Sequence, residues 1–212
     1  MITFNRAYKY RFYPTDEQKE LLAKTFGCVR VVWNTILDYR SKEYTLNQTK
    51  INYSASSVKL TALKQEISWL NEISSVALQQ TLRDQDRAFS NFFSKRAAYP
   101  RFKKKHSYQS FRLVSTGFTF KDGKVSIAKS KTPLNIKWSR KFTGTPSSVT
   151  ISKDSADRYF VSILVEEAIE PKSILTKSVG IDVGLTDFAI TSDGIKYKPL
   201  KATTKYSIKL AK

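Results

Sequence analysis

The stretch that decides the fold of this chain is "FNRAYKYRFYP", residues 4–14. Aromatic side chains occupy every second position from Tyr8 to Phe12 and alternate with alanine, lysine and arginine, which is the period-two pattern of a β-strand. Pro14 ends the pattern, because proline cannot donate a backbone hydrogen bond to a sheet. The segment therefore predicts a strand with one aromatic face that needs a core to cover it.

The next four residues, "TDEQ" at 15–18, predict that a helix follows at once. Thr15 and Gln18 have the spacing of a capping box, in which each side chain bonds the backbone amide of the other residue. Apolar residues then recur at three- and four-residue spacing over 21–37, with Gly27 among them. Two helices separated by Gly27 would form a helix-turn-helix, but the wide apolar stripe favours packing in a helical bundle.

Two more helical patterns follow, one with apolar residues at 60, 63, 67 and 70 and one that begins at Ser74 or Ser75. Beyond Phe111 the period changes to two, and short runs rich in Val, Ile, Phe and Thr predict an antiparallel sheet or small barrel. That sheet has an unpaired edge, and the strand at residues 3–13 has no partner. We therefore expect the two to pair, with the helical segment inserted between them.

Composition predicts a folded protein with a polyanionic partner. The 212 residues carry 37 Lys and Arg against 18 Asp and Glu, a formal net charge of +19, with 41% hydrophobic and 13% aromatic residues. This apolar content can offset the ordering entropy of the chain, which excludes a disordered chain as the interpretation. Because neutralised phosphates release counterions, the excess positive charge predicts binding to nucleic acid.

Cysteine use and hydropathy predict a soluble cytoplasmic protein without a membrane partner. The single cysteine, Cys28, excludes an internal disulfide and a cysteine-based zinc site within the chain, and it is expected to be a small core residue. The first residues contain no apolar run of a signal peptide, and no stretch reaches the length of a membrane span.

A basic run is the first candidate site. No acidic residue occurs over 88–121, where aromatic residues are interleaved with cations. Cations beside planar rings can pair with phosphates while bases stack on the rings. The alternative is a solvated loop at a helix end, where cations also favour the helix dipole, but acid depletion over this length favours contact with nucleic acid. The predicted nucleic-acid-binding residues are Lys95, Arg96, Arg101, Lys103, Lys104, Lys105 and Arg112.

The second candidate is Asp182, in "VGIDVG" at residues 179–184. We expect its carboxylate to lie on a rigid strand, on the same face as the two glycines, so that a metal ion or a phosphate can approach closely. A divalent ion needs several oxygen ligands, and one aspartate does not supply them. An aspartate that accepts backbone hydrogen bonds at a strand end is the alternative interpretation.

Five collinear stretches resemble the TnpB (OrfB) proteins of bacterial insertion sequences, which are relatives of the type V CRISPR effector nucleases. The stretches are "YKYRFYPTDEQKELLAKTFGCVRVVWN", "ALQQTLRDQDRAF", "YPRFKKKHSYQSFR", "SVTISKD" with "RYFVSILVE", and "VGIDVGLTDFAITSDG". The resemblance implies an α+β fold in which a helical recognition lobe is inserted into a wedge-like antiparallel β-barrel, followed by the first strands of a RuvC domain of RNase H-like fold. The implied boundaries are 1–14 and 105–175 for the barrel, 15–104 for the lobe, which begins with the helix-turn-helix-like region, and 176–212 for the nuclease domain.

The resemblance also implies a function, that of an RNA-guided DNA endonuclease whose partners are a guide RNA and double-stranded target DNA. By motif, Asp182 corresponds to the first catalytic, Mg²⁺-binding aspartate. The family's later glutamate, zinc ribbon and last aspartate would lie beyond Lys212, so we expect a C-terminally truncated chain that is catalytically incomplete and holds no zinc. Whether it acts as an enzyme stays open. The alternative is a non-catalytic DNA-binding repressor, RNA-guided or of helix-turn-helix type, or a transposition accessory protein.

Overall fold

The chain forms two compact units, residues 1–169 and 170–212, in a computed structural model that describes residues 2–169, 176, 178–202 and 206–207. The first unit combines α-helices with antiparallel strands, and the second contains a small antiparallel sheet. The predicted mixture of helices and antiparallel sheet is therefore confirmed. The sequence also predicts a linker around Pro171 between the two units, and this segment lies outside the described residues.

The first unit is built on a five-stranded antiparallel sheet in the order β2-β6-β7-β1-β5, with a separate hairpin of β3 and β4. Its elements are β1 (Ile2–Phe12), α1 (Asp16–Asn47), α2 (Tyr53–Glu66), a 3-10 turn (Ser68–Asn71), α3 (Ser75–Phe93), β2 (Gln109–Val114), β3 (Phe118–Lys121), β4 (Lys124–Ile127), β5 (Ile136–Lys137), β6 (Pro146–Lys153) and β7 (Tyr159–Ile169).

Strand β1 pairs with β7 along its whole length, from Ile2 opposite Ile169 to Phe12 opposite Tyr159. The helices lie between β1 and the other strands in sequence, so the predicted pairing of the first strand with the later sheet, across an inserted helical segment, is confirmed. Within the described residues, β2 and β5 are the edges of this sheet. The antiparallel sheet of the prediction is present, while its closure into a barrel is not confirmed.

The segment read as a possible helix-turn-helix is one continuous helix, α1, so that interpretation is wrong. The capping box forms as predicted: the Gln18 amide donates to Thr15 Oγ1 at 3.3 Å, and the Thr15 amide donates to Gln18 Oε1 at 3.2 Å. Gly27 lies in the helix interior with open space where a Cβ would be. A glycine there costs only about 1 kcal/mol relative to alanine, and the buried apolar face on both sides of it holds the helix together.

One hydrophobic core joins the helices to the sheet. Phe26 of α1 packs on Phe111 of β2 with ring centroids 5.3 Å apart, and Tyr10 and Phe12 of β1 are each 1% exposed. The aromatic face of the opening strand is thus covered, as its pattern predicts. Cys28 is a buried core residue, and burial raises the pKa of its thiol to about 11.

The second unit contains β8 (Ile181–Asp182), β9 (Ala189–Thr191) and β10 (Lys196–Tyr197), which pair antiparallel in the order β10-β9-β8. The strand expected over 179–184 is therefore only two residues long. None of the described helices of the chain combines the length and the apolarity that crossing a membrane requires.

Candidate nucleic-acid interface

The basic run lies between α3 and β2, where residues 94–108 form neither helix nor strand. We call residues 95–105 the basic loop. It begins at the end of α3, where Lys95 adopts a left-handed conformation with φ 59° and the Arg96 amide donates to the Asn91 carbonyl at 2.8 Å. This left-handed residue ends the helix and turns the chain back towards α1.

Two side chains of α1 fix the backbone of the basic loop. The Trp33 indole Nε1 donates to the Arg101 carbonyl oxygen at 3.0 Å. Asn34 makes a reciprocal pair with Lys103: the Lys103 amide donates to Asn34 Oδ1 at 2.8 Å, and Asn34 Nδ2 donates to the Lys103 carbonyl at 3.0 Å. These bonds join residues almost seventy positions apart, and they give an irregular segment a defined path.

Tyr99 is a third anchor, at the start of the segment that crosses α1. Its hydroxyl lies 2.8 Å from Ser41 Oγ of α1. Its ring meets Phe89 and Phe92 of α3 edge to face, with centroids 5.5 and 5.2 Å apart. Pro100, the next residue, is buried. The loop is therefore fastened to both helices between its first two cations, Lys95 and Arg96, and the cations that follow Pro100.

Five of the seven predicted nucleic-acid-binding residues are exposed, and none of their side chains has an ion-pair partner within the described residues. They are Lys95, Arg96, Arg101, Lys104 and Lys105. A phosphate can pair with each of them without breaking an internal salt bridge. Their clustering on an anchored backbone makes a surface that attracts a polyanion.

The other two predicted residues are differently placed. The Lys103 ammonium lies over the Trp33 ring, 4.3 Å from its centroid, and burial lowers the pKa of Lys103 below its usual value. Arg112 is about three-quarters buried and forms a short salt bridge with Asp84. These two cations are engaged within the protein, so they offer less to a phosphate than the exposed five.

Asp182 is exposed, as are its neighbours Val179, Ile181 and Val183 on the other face of the strand. The regular strand around Asp182 is shorter than expected, because it is the two-residue β8 and both of its side chains are exposed. The two glycines differ: a Cβ at Gly180 would meet only the Ser192 side chain, at 3.6 Å, whereas a Cβ at Gly184 would meet the Asp187 carbonyl oxygen at 3.2 Å.

A metal centre does not follow from the residues around Asp182. Asp187 is paired with Lys198 at 2.9 Å, and this hydrogen bond lowers the pKa of Asp187. Among the described residues, no group of three or more His, Cys, Asp or Glu side chains comes together to hold a metal ion. A divalent ion takes several oxygen ligands, so these residues supply one candidate ligand and do not fit a complete site.

Trp33 and Asn34 are the anchors of the basic loop that the sequence did not single out. Trp33 was part of the apolar stripe of α1, and nothing in its spacing shows that its indole N–H reaches a distant carbonyl. Asn34 carries the clearer signal, because a polar amide beside a buried helical face needs hydrogen-bond partners. The partner itself is a backbone group, which no sequence pattern identifies.

The chain matches known proteins over nearly all of its length. A family model described as "Helix-turn-helix domain" (HTH_OrfB_IS605) matches residues 1–49, which here form β1 and the continuous helix α1. A protein of Streptomyces pristinaespiralis named "Putative RNA-guided DNA endonuclease" is 44% identical over 212 residues, which cover 98% of this chain and 53% of the relative.

A protein of Escherichia coli (strain K12) named "Putative RNA-guided DNA endonuclease InsQ" is 30% identical over 210 residues, covering 98% of this chain and 52% of that relative. The chain thus spans about half the length of the curated relatives it matches. A solved chain from the "Cryo-EM structure of the Cas12f1-sgRNA-target DNA complex" is similar with a TM-score of 0.39 and 11% identity, over 98% of this chain and 60% of that one.

Proposed function

The chain belongs to the TnpB (OrfB) family of bacterial insertion-sequence proteins, and on that premise we propose that it binds guide RNA and target DNA as part of an RNA-guided DNA endonuclease. The observation that carries the proposal is the basic loop, where five exposed cations without an ion-pair partner among the described residues project from a backbone fixed by Trp33 and Asn34. The names of the 44% and 30% identical relatives support the choice of partner and reaction.

The physical advantage of this loop is pre-organisation. Its backbone hydrogen bonds are already made to α1, so binding does not have to order the segment first, and that ordering cost is avoided. Each phosphate neutralised by a lysine or arginine releases counterions, which drives association without reading sequence. Recognition of sequence is left to base pairing with the guide RNA.

The proposal includes a division of the chain. Residues 1–14 and 105–175 form a wedge-like barrel, residues 15–104 a helical recognition lobe, and residues 176–212 the first strands of a RuvC-like domain. In this division Asp182 supplies one ligand to a catalytic Mg²⁺. The described residues do not complete that site, so we derive no step of DNA cleavage from it.

The test of nucleic-acid binding is the salt dependence of affinity, measured by fluorescence anisotropy with labelled RNA and DNA. In a variant with Arg101→Ala, Lys104→Ala and Lys105→Ala, we expect the slope of log K against log salt to become shallower by about two to three units. The matched control removes three exposed lysines elsewhere, with Lys124→Ala, Lys129→Ala and Lys131→Ala. Equal losses in both variants would mean that binding follows total charge and not the basic loop.

A second candidate function is non-catalytic DNA binding, as a repressor or a transposition accessory protein. The observation that favours it is that Asp187, the carboxylate nearest to Asp182 in sequence, is already paired with Lys198 at 2.9 Å and so is not free to join Asp182 at a metal ion. RNA that co-purifies with the chain, followed by a cleavage assay with Mg²⁺ and matching target DNA, separates the two candidates. Cleavage that Asp182→Asn abolishes supports the nuclease; tight binding without cleavage supports the second candidate.

A further inference from the structure

A pocket of about 320 Å³ opens beside the basic loop, between the last turns of α1 and α3. Phe93 and Tyr99 stand at its mouth, 61% and 44% exposed. Lys50, from the loop between α1 and α2, adds a cation whose Nζ lies 5.8 Å from the centre of the Phe93 ring. Several aromatic rings thus share one concave site with the cations Arg40 and Lys50. We call it the aromatic pocket.

The walls of the aromatic pocket are held in place by ring contacts. Phe89 and Phe92 meet Tyr99 edge to face, and Phe93 contacts both of these phenylalanines, with centroids 6.3 and 5.3 Å away. Ser41 fixes the Tyr99 hydroxyl. The rings are therefore positioned before any ligand arrives, while Phe93 keeps most of its surface free for stacking.

Arg40 lines the same pocket and has an unmet hydrogen-bonding requirement. Its side chain is only 10% exposed, its Nη2 donates to Asp86 at 3.1 Å, and its guanidinium lies 4.2 Å from the Phe89 ring centre. Its buried Nη1 has no hydrogen-bond partner within the described residues. A buried N–H group without an acceptor is unfavourable, so this guanidinium favours a ligand that brings an oxygen acceptor into the pocket.

We propose that the aromatic pocket binds one unpaired nucleotide of the nucleic acid held by the basic loop. The base stacks on Phe93, an oxygen of the nucleotide accepts a hydrogen bond from Arg40, and Lys50, Lys95 and Arg96 neutralise the adjoining phosphates. The inference rests on the proposed function. It adds a subsite that contacts a base to a loop whose other contacts are to phosphates alone.

The dimensions and chemistry of the pocket support a single nucleotide. Its volume lies at the lower end of the range for small-ligand sites, so it suits one nucleotide and excludes a duplex. A paired base within a helix has both faces covered by its neighbours, and only an unstacked base can offer a face to Phe93. Lys50 lines the pocket, and Lys95 and Arg96 follow Phe93 within three residues, so cations are available to the flanking phosphates.

The test uses single-stranded oligonucleotides of about 12 nucleotides that carry one 2-aminopurine, as RNA and as DNA of the same sequence. Stacking on an aromatic ring quenches the fluorescence of this base. With Phe93→Ala we expect loss of the quenching and roughly 5- to 150-fold weaker binding, with an unchanged salt slope because no charge is removed. Phe93→Leu keeps the apolar bulk but has no ring, and it should behave like Phe93→Ala, while Phe93→Tyr should retain binding.

Phe4→Ala is the matched control, since Phe4 is a similarly exposed ring, at 49%, away from the basic loop in sequence. Its binding should equal that of the unaltered chain, and circular dichroism melting verifies that each variant is folded. A fully paired duplex should bind equally to the unaltered chain and to Phe93→Ala. A larger Phe93→Ala effect with RNA assigns the pocket to the guide, and a larger effect with DNA assigns it to the target.

The two proposals fail in different ways. If the unaltered chain binds neither oligonucleotide at low salt, the proposed function fails and the pocket inference fails with it. If the chain binds with the expected salt slope but Phe93→Leu binds as tightly as the unaltered chain, the pocket inference alone is wrong. Equal weakening by Phe4→Ala, or equal weakening of duplex binding, also overturns it.

Discussion

The basic loop and the strand that carries Asp182 are held in place in opposite ways. The loop has no regular backbone structure, yet Trp33, Asn34 and Ser41 of α1 fix it through side-chain bonds over long sequence distances. Strand β8 has regular pairing with β9, but it is two residues long and its side chains are exposed. Regular secondary structure is therefore a poor guide here to which segment is rigidly placed.

The difference has an energetic basis. A side chain that bonds a distant carbonyl or amide inside a packed region satisfies groups that water reaches poorly, so its removal leaves them unpaired. An exposed side chain on a short strand exchanges its contacts for water at almost no cost. Substitutions in the anchors of the basic loop should therefore disturb the protein far more than substitutions at Asp182, although Asp182 has the more specific motif.

The largest effect is expected for Trp33→Ala, which removes both an anchor of the basic loop and a buried ring. Trp33 is 8% exposed, and truncation of a buried aromatic residue to alanine costs about 3–5 kcal/mol. The free energy of unfolding, measured by urea titration followed by circular dichroism, should fall by that amount. Hydrogen exchange at the Lys103 amide should quicken in the folded state, because the loop loses the bond from the Trp33 indole to the Arg101 carbonyl, two residues away.

Trp69→Ala is the control for this change, because Trp69 is 43% exposed in the 3-10 turn. It removes the same kind of side chain without affecting the basic loop. The free energy of unfolding should fall by well under half as much as in Trp33→Ala. A loss of stability in Trp69→Ala equal to that in Trp33→Ala would contradict the view that the anchor position matters.

The sequence predicted the elements of the first unit well because their signals are local. The alternating aromatics up to Phe12 and the capping box at Thr15 depend on neighbours within four residues, and both are present. The continuity of α1 through Gly27 could not be read from the pattern, since a glycine is compatible with either a turn or a helix and tertiary packing decides.

The candidate sites were less predictable, because charge alone does not show a partner. Lys104 and Arg112 look equivalent in the sequence, but Arg112 lies opposite Asp84, which is 28 residues away and belongs to α3. Lys103 differs from its neighbour Lys104 only because the Trp33 ring lies beneath its ammonium. Such pairings depend on how the helices pack against β2.

Removing the acid that engages Arg112 sharpens the comparison between engaged and free cations. In Asp84→Asn the guanidinium loses its salt bridge and becomes available to a phosphate. We expect tighter nucleic-acid binding at low salt and a salt slope that is steeper by about one unit. Asp122→Asn makes the same change of charge at an exposed turn residue. The salt slope of this variant should equal that of the unaltered chain. Identical slopes in the two variants would show that Arg112 stays engaged or faces away from the nucleic acid.

A smaller effect is expected for Lys103→Met, which keeps the aliphatic packing on Trp33 and removes a partly desolvated charge. The salt slope of nucleic-acid binding should not change, whereas Lys104→Ala should lower it by slightly less than one unit. Because the pKa of Lys103 is lowered in the fold, the folded state releases its proton before the unfolded state does. The unaltered chain should therefore gain stability relative to Lys103→Met as the pH rises from that lowered pKa towards the ordinary lysine pKa of 10.5. A relative loss of stability over this pH range would contradict the burial of this ammonium.

The smallest effect is expected at Asp182, and it tests the other side of the comparison. Asp182→Asn should leave amide protection in the second unit unchanged, because the carboxylate is exposed and makes no hydrogen bond or ion pair among the described residues. Ser192→Ala is the contrast: Ser192 Oγ accepts from the Gly180 amide at 3.0 Å, and its loss should speed exchange at that amide. If Asp182→Asn instead reduces protection as much as Ser192→Ala does, the carboxylate has a structural role in its own unit, and the proposal that it is kept free for a metal ion loses its basis.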